Sequence, residues 1–468
     1  MKEPWMLTLA QMVGQIKRHK LSPVTLLKSI LQRIDSLEPS LKAWVTIDRQ
    51  SIRKEAQRCK DEIKRGRWLG PLHGIPIGVK DIFLTAGLKT TLGSKIFSAF
   101  IPPKDATVVD RLKKSGAIIL GKTATTEFAS LDPAPTRNPW NLDHTPGGSS
   151  SGSAVAVATG MCPAALGSQT AGSVLRPAAY CGVVGFKPTY GRISRQGLFP
   201  LSWTLDHVGF MTRSVKDAAI LLQILAGGDP QDPTSSQRPV PDYVHFLRPL
   251  PKRPKIGVVK TFFKKNAAKE IWQHTEETIQ KLAQAGARVE LVNLPAIFQY
   301  VHPALKIITR VEVAAFHERL FAMHSEQYAP KVRERIETGF LIPGVDYLQA
   351  QRIKRQFRRE MEEVLQPYDC LLTPSTPSAA PPGIASTGSP SFQVPWTFSG
   401  LPAITIPSGL NREKLPLGIQ LIGRAFSEEK LLATASWCEE EMKIVPYPSI
   451  GSRRIGHARG NHWYPSAC

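Results

Sequence analysis

Residues 147–153 read Gly-Gly-Ser-Ser-Ser-Gly-Ser, and residues 167–176 read Gly-Ser-Gln-Thr-Ala-Gly-Ser-Val-Leu-Arg. Glycine at this density lets backbone N–H groups come close to a bound atom, and clustered serines supply hydroxyls. Such a stretch is built to do chemistry. Gly/Ser runs are more often flexible linkers. Here Ala154–Ala158 and Met161–Leu166 follow the turns, and segments of that composition are made for burial.

Other chemical readings of the chain fare worse. Gly148-Ser149-Ser150-Ser151-Gly152 fits G-x-S-x-G, with Ser150 as the elbow and Asp206-His207 downstream. Such an elbow wants a strand before it, and Thr145-Pro146-Gly147 is a turn. Gly116, four residues, then Gly121-Lys122-Thr123 fits the phosphate-loop expression. Its apolar strand lies between the two glycines rather than before the first, which is the wrong geometry for a phosphate. His317-Glu318 fails the zinc motif because Phe321 stands where the second histidine belongs. Cys162 and Cys181 read as packed thiols. No metal or cofactor is expected.

With Gly-Val-Lys-Asp at 78–81 the two stretches make three blocks in order, and together they resemble the signature of the amidase signature family of serine hydrolases. The likeness runs from about Leu9 to about Ile444. It implies an α/β fold with a large mixed central sheet covered by helices on both faces. It also implies a Ser-cis-Ser-Lys triad, matched position by position by Ser173 as nucleophile, Ser149 as bridging serine after a cis peptide, and Lys80 as base. Backbone N–H groups of Thr170, Ala171, Gly172 and Ser173 match the family's oxyanion loop.

Physics makes demands on these roles. A lysine base must be neutral, so its pKa has to fall from an ordinary ~10.4 toward the working pH, which burial can achieve. Ile77-Gly78-Val79 gives Lys80 an apolar approach, while Asp81 opposes the shift unless it points elsewhere. Two positions depart from the pattern of many members: Gln169 stands for Asp, and Ala171 for the first Gly of Gly-Gly-Ser. The glutamine is shared with a malonamidase-like subgroup, in which the residue matching Arg176 faces the substrate carboxylate. A guanidinium suits that role, being permanently charged and bidentate; the alternative is an arginine held structurally.

Composition sets the frame. The 468 residues are 42% hydrophobic and 21% charged, enough for a substantial core. Lys and Arg number 60 against 38 Asp and Glu, a net charge of +22 that raises affinity for polyanions. No aromatic-interleaved basic motif accompanies it, so a solvated basic surface is the first reading. The six cysteines form no Cys-x-x-Cys pair, and no run of 18 uncharged apolar residues exists. A cytoplasmic protein without a membrane segment is expected.

The elements that must position the motifs follow from periodicity. Ser22 caps a helix over 22–34, and residues 1–65 read as a helical layer. An α/β domain over 66–445 carries the motifs on alternating strands and helices, with a helical insertion at about 296–367. Seven prolines between 227 and 254 mark a surface connection. The helix from Asp346 buries Ile353, Phe357, Met361 and Val364 and exposes a basic face. Residues 446–468 lack periodicity and read as an unstructured tail.

Two functions follow from the resemblance. One is a cofactor-free amidase acting on a small-molecule amide, for which a homodimer is compatible. The other is the amidase-type subunit of a glutamine-dependent aminoacyl-tRNA amidotransferase, with partner subunits and nucleic acid. A non-catalytic relative is argued against by intact Lys80, Ser149 and Ser173.

Overall fold

The computed structural model describes residues 3–247, 253–443, 447, 448 and 450. The expected tail therefore falls almost wholly outside the described residues. In chain order the strands are β1 (Trp44–Thr46), β2 (Pro76–Lys80), β3 (Ile118–Thr123), β4 (Ala164–Gln169), β5 (Val184–Lys187) and β6 (His207–Thr212). They continue with β7 (Lys255–Val259), β8 (Arg288–Val292), β9 (Cys370–Pro374), β10 (Ala403–Leu410) and β11 (Pro416–Ile422).

All eleven join one mixed sheet in the order β1-β3-β2-β4-β6-β5-β10-β11-β9-β7-β8. Its centre is buried on both faces, which is why β2, β4, β5 and β6 read as unbroken apolar or small-residue runs rather than alternating ones. Helices cover both faces, as an α/β layering requires.

The first 65 residues supply three helices, Leu9–Lys17, Pro23–Leu41 and Arg49–Lys64. Ser22 caps the second as its type predicts, accepting from Thr25 N–H at 3.1 Å, and the helix runs on to Leu41, past the expected 34. This layer is not purely helical, because β1 pairs antiparallel with β3 at the sheet edge. Three residues between flanking helices carry too little pattern to read as a strand. Further on, helices Val301–His324, Pro330–Phe340 and Gly344–Leu365 occupy the 296–367 region.

Parallel pairing brings the chemistry together. Gly78 of β2 lies beside Ala165 of β4 and Val79 beside Leu166, so both strands deliver their carboxyl ends, Lys80 and Ser168-Gln169, to one edge of the sheet. Ligands of open α/β sheets gather at such ends. The helix Ser151–Ala158 makes the crossover into β4, and its N-terminal turn carries Ser149 and Ser150 to the same place.

Candidate active site

Lys80 closes β2 with its side chain fully buried. Its Nζ lies 2.6 Å from Ser149 Oγ and 2.9 Å from Ser168 Oγ. Burial pushes the amine well below its ordinary pKa, and the buried carboxylate of Asp206 works weakly in the other direction. Asp81, the nearest acid in sequence, is turned away. Its Oδ2 accepts from the Thr91 backbone N–H at 3.0 Å and the Thr91 hydroxyl at 2.5 Å, and its Oδ1 stands 3.7 Å from Lys122 Nζ.

Ser149 follows a cis peptide bond after Gly148. Gly147 turns the chain into it with φ +79°, and a Cβ there would meet Pro177 Cα at 2.8 Å, so both conformation and space require glycine. The helix that follows is held by the neighbouring serines: Ser150 Oγ donates to Ser168 O at 3.3 Å, and Ser153 Oγ to Leu166 O at 2.8 Å. Ser150, the elbow candidate, is thus a buried residue facing β4, and His207 directs Nδ1 to Leu205 O rather than toward it.

Ser173 is half-buried and faces a cavity of about 260 Å³. The N–H of Ser150 donates to Ser173 O at 3.3 Å, which holds the loop against the Ser149 turn. Ser173 Oγ makes no hydrogen bond among the described residues, so the Lys80 and Ser149 side chains are joined while the third hydroxyl stands free toward the cavity. Thr170, Ala171 and Ser173 line the same cavity, with Gly172 between them. Ala171 is not among the positive-φ residues, so the departure from glycine there imposes no left-handed strain. Gly172 is required by space instead: a Cβ would stand 2.7 Å from Gln393 Oε1 and 3.1 Å from Pro390 Cβ.

The cavity wall has one sign of charge. Arg176, Lys306, Lys331 and Arg335 line it, and no acidic residue among the described ones does. The two arginines differ in how their donors are used. Arg176, buried on the helix Leu175–Cys181, gives Nη1 to Gly388 O at 2.7 Å and Nη2 to Gly148 O at 2.6 Å and Thr387 Oγ1 at 3.0 Å; its Nε has no partner among the described residues. It ties the Ser149 turn to the 387–388 loop. Arg335 makes a single hydrogen bond there, to Ser130 Oγ at 3.2 Å, and burial with Arg310 nearby lowers its pKa to about 10. No sequence motif singles out Arg335. The usable signal is its place three residues after buried Val332 and one before buried Ile336, an arginine at the edge of a helix's inward face.

The remaining motifs have structural roles. Gly121-Lys122-Thr123 is the carboxyl end of β3, where a Cβ on Gly121 would run into Thr46 O. His317, on the long helix Val301–His324, pairs Nδ1 with the Tyr328 hydroxyl at 2.9 Å inside an aromatic cluster. The five described cysteines are all buried and unpaired. Among the described residues no helix is long and apolar enough to cross a membrane.

Known proteins give this arrangement its context. The chain is 38% identical to a glutamyl-tRNA(Gln) amidotransferase subunit of Halothermothrix orenii, over 94% of this chain and 98% of that one. Among solved structures it is similar to the native peptide amidase of Stenotrophomonas maltophilia, with TM-score 0.83, 31% identity and coverage of 96% and 99%. It is also similar to a glutamyl-tRNA(Gln) amidotransferase subunit of Thermotoga maritima, with TM-score 0.79, 32% identity and coverage of 96% and 98%. The family model named Amidase matches residues 25–432, all eleven strands of the sheet and every residue of the candidate site, and the chain therefore belongs to the amidase family of enzymes that hydrolyse carbon–nitrogen bonds.

Proposed function

We propose that the chain hydrolyses the carboxamide of a small, carboxylate-bearing molecule through an acyl-Ser173 intermediate, and does so as the amidase-type subunit of a glutamine-dependent aminoacyl-tRNA amidotransferase. The observation that carries the substrate class is the 260 Å³ cavity at Ser173, lined by four cationic side chains and no acid among the described residues. Glutamine, a primary amide with a carboxylate, is a molecule of that class. The amidotransferase reading is supported by the 36–38% identity to subunits of glutamyl-tRNA(Gln) amidotransferases across more than nine-tenths of the chain.

Neutral Lys80 takes the Ser149 proton as Ser149 takes that of Ser173, and Ser173 Oγ adds to the amide carbon. The oxyanion is received by N–H groups of the 170–173 loop, each worth about 3–4 kcal/mol in the transition state. Ser149 returns the proton to the departing nitrogen, the C–N bond breaks, and ammonia leaves. Water, deprotonated along the same path, then cleaves the ester to the free acid. A contact between Ser149 and Ser173 that tightens only with substrate bound is ordinary in apo enzymes.

A second reading, an amidase acting alone, is favoured by Gln169 and Ala171, where many members carry Asp and Gly, and by the likeness to the peptide amidase. Fluorophosphonate labelling followed by peptide mapping tests the shared step: label on Ser173, lost in Ser173→Ala, is expected, and label elsewhere overturns it. Assay of the purified chain separates the two readings. Rapid turnover of simple amides by a monomer or homodimer favours the lone enzyme, and glutamine turnover that appears only with partner subunits favours the amidotransferase.

A further inference from the structure

We propose that Gln169 and Thr397 act together as a positioning pair that sets the oxyanion loop, and that the carboxamide at 169 is required for the pair to work. This rests on the reading of Ser173 as nucleophile and of residues 170–173 as its oxyanion loop.

The loop is held at its exit by the Gln169 side chain and at its middle by Thr397, which Gln169 engages. Gln169 closes β4, and its Oε1 accepts from Val174 N–H at 2.9 Å and from Leu175 N–H at 3.0 Å, the first free donors of the helix that follows Ser173. Its Nε2 donates to Thr397 Oγ1 at 2.9 Å. The Thr397 hydroxyl in turn donates to Ala171 O at 2.8 Å. Loop exit and loop middle are therefore tied to one amide plane, and of the five residues involved all are buried except Ala171, which is half-buried.

The orientation of the amide is not arbitrary. Two backbone N–H groups converge on one terminal atom, so that atom must be the oxygen, and the nitrogen must face Thr397. A threonine hydroxyl has one hydrogen. Because Gln169 donates to Thr397, that hydrogen is left for a carbonyl, and Ala171 O at 2.8 Å takes it over Gln393 O at 3.5 Å. A carboxylate at 169 reverses the relation: it accepts only, draws the hydroxyl hydrogen to itself and leaves Ala171 O unpaired beside the cavity. The carbonyl of Ala171 belongs to the same peptide plane as the Gly172 N–H, so freeing it reorients an oxyanion donor. Neither Gln169 nor Thr397 lines the Ser173 cavity, so the pair acts on transition-state geometry and not on substrate binding.

Gln169→Glu, Thr397→Val, Thr397→Ser and the double variant Gln169→Glu/Thr397→Val test the pair in the full-length chain. Each is assayed for kcat and KM on an anionic primary amide, for fluorophosphonate labelling and for thermal unfolding. Expected is a ~10-fold or greater fall in kcat for Gln169→Glu and for Thr397→Val, with KM within about twofold and Thr397→Ser within about threefold of the parent. The double variant is expected to lose no more than the worse single variant, since both remove the same arrangement. Parent-like kcat in Gln169→Glu or Thr397→Val, a loss carried by KM, or losses that multiply in the double variant would overturn the pair. Should Thr397→Val not fold, Gln169→Glu decides the matter by the same readouts. Labelling of the parent keeps the two ideas apart: if Ser173 is not labelled, the underlying nucleophile assignment fails, whereas labelled Ser173 with unaffected variants sinks only the pair.

Discussion

Lys122 Nζ stands 3.7 Å from Asp81 Oδ1, and both side chains are fully buried. Lys122 is held there by Thr90 Oγ1 at 2.9 Å, Thr85 Oγ1 at 3.1 Å and the Phe83 carbonyl, while burial lowers its pKa to about 8. The pair keeps the Asp81 charge turned away from Lys80, so the Lys80 amine keeps its depressed pKa although an acid follows it in sequence. Removing one partner leaves the other charged and dry. Lys122→Met is expected to cost about 3–5 kcal/mol in urea unfolding, and Lys122→Met/Asp81→Asn distinctly less. A single-variant loss below about 1 kcal/mol would show that the pair is not a buried charge pair in solution.

On the proposed mechanism the Lys80 amine sets the pH dependence. Its folded pKa lies well below the ordinary 10.5, so the neutral, competent form grows as pH rises through that lowered value. Acylation by the parent enzyme is expected to rise along a limb far below pH 10.5, and Lys80→Met to lose both the rate and the limb. Stability follows the same sign. Between the lowered folded pKa and the unfolded value the unfolded chain holds more protons, so this group makes stability rise with pH across that window. Stopped-flow acylation over neutral to alkaline pH checks the first statement; a surviving limb in Lys80→Met would assign it to another group.

What the sequence discloses of this site is what lies in short contiguous blocks. Lys80, Ser149 and the 170–173 loop sit in local motifs, and the alternation of apolar strands with capped helices carries the sheet with them. Partners supplied by distant segments leave no such mark. Arg335 arrives on a helix far beyond Ser173 in the chain, and Thr397 reaches Gln169 across 228 residues. Arg176 shows the converse: its position in the motif suggests a substrate contact and it lines the cavity, while most of its donors are taken by main-chain oxygens and Thr387 that no periodicity could place beside it.

The two arginines of the cavity should therefore answer differently to removal. Arg335 has most of its donors uncommitted among the described residues, and a bidentate bond to a carboxylate in a half-buried site is worth several-fold to hundreds-fold in affinity. Arg335→Met is expected to raise KM for anionic amides by ~10-fold or more and to leave neutral amides nearly unchanged. Arg176→Met instead frees the Gly148 carbonyl beside Ser149, and should lower kcat for both substrate classes together with the unfolding temperature. Steady-state kinetics on a matched pair of charged and neutral amides checks both, and equal KM effects of Arg335→Met on the two would remove its role in carboxylate binding.

The cysteines give a prediction that reads the core rather than the site. Cys59, Cys162, Cys181, Cys370 and Cys438 are buried and unpaired, and burial pushes the Cys59 and Cys162 thiols up to about 12 and raises those of Cys181, Cys370 and Cys438 well above the ordinary thiol range. Attack on an alkylating reagent needs both access and thiolate, and these groups have neither at neutral pH. Iodoacetamide followed by peptide mapping is expected to leave all five unmodified in the native protein and to modify all five in guanidinium. Native labelling of Cys162 or Cys181 at neutral pH would count most heavily, because Cys162 leads into β4 and Cys181 ends the helix that begins just after Ser173. Reagent reaching either would mean that the segments flanking the Ser173 loop open in solution far more often than their complete burial implies.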